Sequence, residues 1–221
     1  MCGRYVRSSS PRVFAERFQA SGDLDLSPSY NVAPSNAALI ARTAPDGKRE
    51  LAAVRWGLIP FWAKDPKIGY KMINARAESV ASKPAFREAY KRRRCLIAAD
   101  GFYEWKAQED GKQPYFIRLK DGEPFAFAGL WEHWEGDGQV IESCTIITTE
   151  ANRLVADIHD LMPVILPPES YGSWLAANPR LGSALKLLLR PYPAQGMEAF
   201  PVSQAVNNPR SDGPELARPI D

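Results

Sequence analysis

The sequence is poor in the residues that would make several function classes easy to recognise. Among 221 residues it has three cysteines, Cys2, Cys95 and Cys144. An odd, low number gives no disulfide framework and suits a reducing compartment. It has two histidines, His133 and His159, and no Cys-x-x-Cys pair, which argues against a zinc site. No apolar run approaches the length of a membrane span, and Met1-Cys2-Gly3-Arg4-Tyr5 lacks the apolar stretch of a signal peptide. The formal net charge is only +2, so bulk charge does not announce a nucleic-acid partner. Internal repeats and internal low-complexity linkers are missing too. These absences lead us to expect a cytoplasmic protein with no membrane partner and no metal, monomeric by default.

What is present is an ordinary globular mixture, 45% hydrophobic and 24% charged, in a chain long enough to bury a core. Ser10-Pro11 predicts a helix start, with Val13, Phe14 and Phe18 on one face of a helix running to about Ala20. The chain then turns β-rich. Asp46-Gly47 joins Ala38–Thr43 to Arg49–Trp56, and Asp110-Gly111 joins Gly101–Lys106 to Tyr115–Leu119. Asp121-Gly122 joins that strand to Phe125–Leu130. Asp-Gly between apolar runs predicts a hairpin. Val140–Thr148 and Pro163–Leu166 read as further strands, and helices are expected between Glu78 and Arg93, just after Thr149, around Glu169–Leu175, and at Leu181–Leu189. The predicted class is α+β: a single domain over residues 1–206, with a mostly antiparallel, barrel-like core and peripheral helices. Residues 207–221, with Pro209, Pro214 and Pro219 and little apolar material, read as a tail that is partly disordered.

Four places carry candidate chemistry. Once Met1 is removed, Cys2 bears a thiol and an α-amine on adjacent carbons. That amine has a pKa of roughly 7.7–8.0, so a useful fraction is neutral near pH 7. A neutral amine attacks an aldehyde to give an imine, and the thiol then closes a five-membered thiazolidine. The competing reading is an inert small residue near a terminus. Glu104 stands among Phe102, Tyr103 and Trp105. In a strand it shares a face with Phe102, and aromatic surroundings would raise its pKa into the range of a general acid or base. A solvent-facing Glu on a strand is the alternative. His159, in Ile158-His159-Asp160-Leu161-Met162-Pro163, titrates near neutral pH, though a lone histidine is more often structural. Asn74 and Arg76, in Asn74-Ala75-Arg76-Ala77-Glu78, suit a substrate oxygen and a phosphate, or a helix start capped by the Asn.

Two further clusters admit two readings each. Trp56, Phe61 and Trp62, interleaved with Arg55 and Lys64, suit base stacking beside phosphates, or an ordinary core. Lys91, Arg92, Arg93 and Arg94 suit a helix C-terminus or a phosphate patch. His133 reads as surface, and Cys95 and Cys144 as buried small hydrophobes in strands.

Taken together, these segments resemble the SRAP (SOS response-associated peptidase) family. The resemblance runs from Met1-Cys2-Gly3-Arg4-Tyr5 to about Val206-Asn207-Asn208. It rests also on Tyr30-Asn31-Val32-Ala33-Pro34, Arg55-Trp56-Gly57-Leu58-Ile59-Pro60, Asn74-Ala75-Arg76-Ala77-Glu78, Cys95 to Trp105, Phe127-Ala128-Gly129-Leu130-Trp131 and His159-Asp160-Leu161-Met162-Pro163. The resemblance implies a protein of the DNA-damage and SOS response that binds single-stranded DNA in a basic groove. It implies that Cys2 bonds covalently to the ring-opened sugar of an abasic site, with Asn74, Glu104 and His159 at matching active-site positions. Arg76 matches a DNA-contacting position, and Arg4, Trp62 and Trp105 are expected beside the DNA. No cofactor is implied, and a lyase side activity is chemically reasonable. Two other classes stay open: a cysteine peptidase, including autocatalytic removal of Met1, and a non-covalent binder of single-stranded DNA.

Overall fold

A computed structural model describes residues 2–176 and 182–220. In chain order the strands are β1 (Arg4–Arg7), β2 (Ser29–Val32), β3 (Ala37–Thr43), β4 (Arg49–Trp56), β5 (Asn74–Arg76), β6 (Arg94–Ala99) and β7 (Gly101–Gln108). They continue with β8 (Gly111–Leu119), β9 (Phe125–Gly136), β10 (Gln139–Glu150), β11 (Leu161–Pro163), β12 (Ile165–Leu166) and β13 (Met197–Pro201). The helices are α1 (Pro11–Phe18), α2 (Arg87–Arg92), α3 (Tyr171–Leu175) and α4 (Gly182–Leu188). Of the helix expected over Leu181–Leu189, Leu181 lies outside the described residues.

Strands β4, β3, β6, β9 and β10 pair in that order, and β10 returns to β4, closing a five-stranded barrel. The β10–β4 contact is parallel and the other four are antiparallel. Closure removes free edges. Strand β6 shows why sequence periodicity is weak here. Every residue from Arg94 to Ala99 is buried. Cys95, Ile97 and Ala99 face one core and Leu96 and Ala98 the other. A strand covered on both faces reads as a continuous apolar run.

A second sheet runs β13-β8-β7-β1-β2, all antiparallel. Its inner face brings Tyr5, Phe102, Ile117 and Leu119 against Trp56, Phe127, Cys144 and Ile146 of the barrel. Across the barrel, Phe14 and Phe18 of α1 meet Tyr171 and Trp174 of α3, with Leu39, Leu96 and Ala128 beneath them. The α+β, barrel-like expectation for the fold is met.

The Asp46-Gly47 and Asp110-Gly111 hairpins form as predicted, β3 with β4 and β7 with β8. Asp121-Gly122 does not make a hairpin. The chain turns there, with Gly122 at φ +72°, but β8 pairs with β7 and β13 while β9 joins the barrel. An Asp-Gly turn fixes a local reversal; which strands pair across it is decided by distant partners. Between Glu78 and Arg93 only Arg87–Arg92 is helical, because Pro84 cannot continue a helix through its i−4 bond. After Thr149 the chain makes successive turns through residues 153–158 rather than a helix.

The expected tail is not loose. The outer face of the second sheet exposes Val6, Tyr103 and Phe116, and Val202, Val206 and Leu216 cover them. Leu216 is fully buried, and Val202 bridges to Pro219. Three apolar side chains suffice because the sheet supplies the rest of the surface.

Candidate active site

Cys2, Asn74, Glu104 and His159 come from four separate parts of the chain and meet at one end of the second sheet. The register explains the first pair. Strand β1 lies antiparallel to β7, with Arg4 opposite Tyr103 and Tyr5 opposite Phe102. Residues preceding Arg4 therefore run beside residues following Tyr103, which sets Cys2 near Glu104. The Glu104 charge accordingly acts on the Cys2 thiol.

Asn74 arrives by a fold-back. Gly57 takes φ +127°, and a Cβ there would come within 2.7 Å of the Gly69 carbonyl oxygen. Only glycine tolerates both the angle and the approach. The loop then returns along its own start, with Leu58 N–H donating to the Met72 carbonyl at 3.1 Å and the Trp56 indole to the Ile73 carbonyl at 2.9 Å. This delivers β5 alongside β10, Asn74 opposite Ile146. Asn74 Nδ2 donates to the Cys2 carbonyl at 2.8 Å. Among the described residues, its Oδ1 is buried without a hydrogen-bond partner. The capping role that the sequence allowed is not taken, because Asn74 lies in a strand.

His159 ends the turns that follow β10. Asn152 Oδ1 accepts from the N–H groups of Leu154 and Val155, both at 3.0 Å, and starts the first turn. The Ala151 N–H donates to the Asp160 carbonyl at 3.0 Å and closes the loop. His159 Nδ1 accepts from the Leu161 N–H at 3.0 Å, which leaves the proton of the neutral ring on Nε2.

The electrostatics divide these groups into roles. Burial pushes the Glu104 carboxyl up to about 7; the positive amino terminus, the Trp105 backbone N–H and Lys112 pull it back only in part. Burial holds His159 below the ordinary histidine range, so it is neutral at pH 7. The Cys2 side chain is fully buried, and burial, reinforced by Glu104, drives its thiol far above the usual value. A carboxyl near neutrality beside a neutral imidazole can take and give protons under the same conditions. A cleft of about 690 Å³ opens on them, lined by Glu104, Trp105, Asp110, Lys112, His159, Gln204 and Asn207.

Lys112, Gln204 and Asn207 were not legible as cleft residues. Asn207 falls in a matching segment, but it stood only as the boundary of the resemblance.

The expected DNA-facing residues separate into two kinds. Arg76 is exposed on β5 and pairs with Glu78 at 3.1 Å. Trp62 is 49% exposed, next in sequence to exposed Phe61, and exposed Tyr70 has its ring 5.0 Å from the Arg55 guanidinium. Trp56 is core, as one reading of that cluster expects, whereas Phe61 and Trp62 are at the surface. Arg4 is half-buried and occupied within the fold, donating to Asn31 Oδ1 at 3.1 Å and to the Val206 carbonyl at 2.8 Å. Trp105 lines the cleft, its indole held by Asn207 Oδ1 at 2.7 Å.

In the basic run Lys91 and Arg92 lie in the last turn of α2, as the helix-end reading expects, and Arg93 and Arg94 follow it. Lys91 pairs with Glu88, and Arg93 with Glu132 at 2.8 Å. Arg94 is buried and donates to the Tyr90, Lys91, Trp174 and Ala176 carbonyls at the ends of α2 and α3. His133 is at the surface, 2.8 Å from Glu135, and Cys95 and Cys144 are buried in β6 and β10. Among the described residues no group of three or more His, Cys, Asp or Glu could hold a metal, and no helix is long and apolar enough to cross a membrane.

The family described as SOS response associated peptidase (SRAP) matches residues 1–209. Abasic site processing protein YoqW of Bacillus subtilis is 48% identical over 98% of both chains. Abasic site processing protein YedK of Escherichia coli is 33% identical over 100% of both. Abasic site processing protein HMCES of Xenopus tropicalis is 36% identical over 90% of this chain and 68% of its own. A crystal structure of a Bacteroides thetaiotaomicron protein superposes with a TM-score of 0.89 at 29% identity, covering 99% of this chain and 100% of that one.

Proposed function

This chain belongs to the SOS response associated peptidase family, and from that premise we propose that it processes abasic sites in single-stranded DNA through a covalent bond to Cys2. The observation that carries this reading is that Glu104 and His159 line one cleft, with Cys2 buried beside Glu104 and held there by Asn74. The names of its relatives support the substrate class.

The chemistry follows from the groups present. An abasic sugar is mostly a closed hemiacetal and must open before an amine attacks. Glu104, half-protonated near pH 7, gives a proton to the ring oxygen or takes one from the anomeric hydroxyl. With Met1 removed, the Cys2 nitrogen attacks the aldehyde carbon, and loss of water leaves an imine. The buried Asn74 Oδ1 suits an N–H of that amine. The thiol sulfur then adds to the imine carbon, and its proton passes to nitrogen through His159 or Glu104. The product is a thiazolidine, protein plus DNA less one water. The imine also permits β-elimination at the sugar, which is the route to a lyase side activity.

A general cysteine peptidase needs a thiolate. Burial and the Glu104 charge work against one at Cys2, whereas the imine route uses the thiol only after the amine has reacted. Exposed Arg76, Trp62 and Phe61 suit phosphate contact and stacking with single-stranded DNA.

The test is a denaturing gel with intact mass, using the protein and a single-stranded oligonucleotide bearing one abasic site. A band at the mass of mature protein plus oligonucleotide less water is expected, absent with intact thymine DNA. No such band, with Met1 confirmed absent by mass, would overturn the covalent reading in favour of non-covalent binding.

A further inference from the structure

The segment that covers the outer face of the second sheet also walls the cleft, and two asparagines fasten it there. Asn31, 2% exposed on β2, donates through Nδ2 to the carbonyls of Val206 at 3.3 Å, Asn208 at 3.0 Å and Ser211 at 2.8 Å. Its Oδ1 accepts from Arg4, which also reaches the Val206 carbonyl. Only an amide offers an acceptor to a guanidinium and donors to several carbonyls at once. The second asparagine works at the rim. Asn207 Oδ1 accepts from the Trp105 indole at 2.7 Å, and its Nδ2 donates to Gln204 Oε1 at 2.6 Å. Gln204 Nε2 donates to the Lys112 carbonyl at 2.9 Å. This line of hydrogen bonds links β7 to β8 across the mouth of the cleft, beside Glu104.

We propose that Asn31 and Asn207 are positioning residues for Glu104, holding segment 204–211 and the Trp105 indole where they keep water from its carboxyl. This rests on the acid–base role given to Glu104 above. Glu104 is 2% exposed, although it lines an open cleft and its neighbour Trp105 is only partly buried. Its seclusion therefore depends on the rim. The other groups around it are the amino terminus and Cys2 ahead of β1, Lys112 and the opposed Tyr115 on β8, Asp110 in the β7–β8 turn, and His159 after β10. Arg4, on the neighbouring strand, is turned to Asn31 and Val206. Replacing either asparagine changes none of these charges, so a changed titration of Glu104 would report water access.

The experiment follows the Glu104 side-chain carboxyl by carbon-13 NMR in the full-length mature protein without DNA, the signal assigned by its loss in Glu104→Gln. Asn31→Ala and Asn207→Ala should each lower the midpoint by about one unit, toward an ordinary carboxylate. The pH optimum of crosslink formation should move down with it. Trp105→Phe removes the indole N–H to Asn207 together with the five-membered part of the ring, and it carries the same expectation should Asn31→Ala fail to fold. A midpoint left at the parental position in the folded variants overturns the proposal. Because the titration is read without DNA, a protein that makes no adduct yet shows the lowered midpoint would sink the functional reading and leave the positioning role standing.

Discussion

Asn74 donates through Nδ2 to the carbonyl of Cys2 at 2.8 Å while its own Oδ1 is buried and, among the described residues, unpartnered. The donor end fixes the residue that carries the proposed nucleophile, and under that proposal the acceptor end suits an N–H of its amine. Asn74→Ala removes both ends and Asn74→Asp only the donor. Alanine should slow adduct formation about tenfold, the worth of one hydrogen bond in the transition state, with non-covalent DNA affinity unchanged. Single-turnover rates at saturating protein, beside fluorescence anisotropy, separate the two. Parental rates in both variants would remove Asn74 from the mechanism.

The amine and the thiol of Cys2 are separable by substitution. Cys2→Ser and Cys2→Ala keep the amine, so each should give only an imine that borohydride traps and denaturation without reductant loses. One residue added ahead of Cys2 locks its nitrogen in a peptide bond and should abolish the stable thiazolidine. Mass spectrometry with and without reductant reads all three. A full, stable adduct from the extended protein would remove the thiazolidine from consideration.

Much of this arrangement is local in origin and therefore legible. The β3–β4 and β7–β8 hairpins carry their own turn residues, and the shared face of Phe102 and Glu104 follows from strand periodicity. What fails is non-local. Asp121-Gly122 has the same local chemistry as the two true hairpins, yet β9 is taken by the barrel. Arg4 looks like a free cation in sequence, but its partners lie on β2 and at Val206, which no local pattern brings together. Residues 207–221 read as a tail because their apolar residues are few; Leu216 among them is buried because the sheet face beneath it is apolar.

Arg4 and Arg76 should consequently behave differently as alanine variants. Arg76 is at the surface and, among the described residues, pairs with Glu78 alone, so Arg76→Ala should weaken non-covalent binding to single-stranded DNA and reduce the salt slope by about 0.7. Trp62→Ala should cost about 1–3 kcal/mol in the same assay with the slope unchanged. Arg4→Ala removes two internal hydrogen bonds and should lower the unfolding free energy by roughly 1–3 kcal/mol with little effect on the salt slope. Binding titrations at several salt concentrations, with urea unfolding of the free proteins, test the split. A large change of slope in Arg4→Ala would place its guanidinium on phosphate instead.

Glu104 ties the site to stability. Its carboxyl titrates at about 7 in the fold, against an ordinary value of 4.5 in the unfolded chain. The native state therefore binds more protons than the unfolded state between those values, and stability must fall as pH rises through that window. Below 4.5 the group is neutral in both states and costs nothing; above 7 a charged carboxylate is held where burial disfavours it. Glu104→Gln keeps the shape and removes the charge. At pH 8 it should stabilise the protein by roughly 2–3 kcal/mol, and at pH 4 it should be near neutral. The same variant should slow crosslink formation about a hundredfold, because ring opening loses its acid–base group. A residue kept at a cost to stability but needed for rate is what a tuned catalytic carboxyl requires. Urea unfolding of parent and variant at the two pH values decides it: a stabilisation that does not grow with pH would mean that Glu104 is not held near neutrality, and its acid–base role would fall with that.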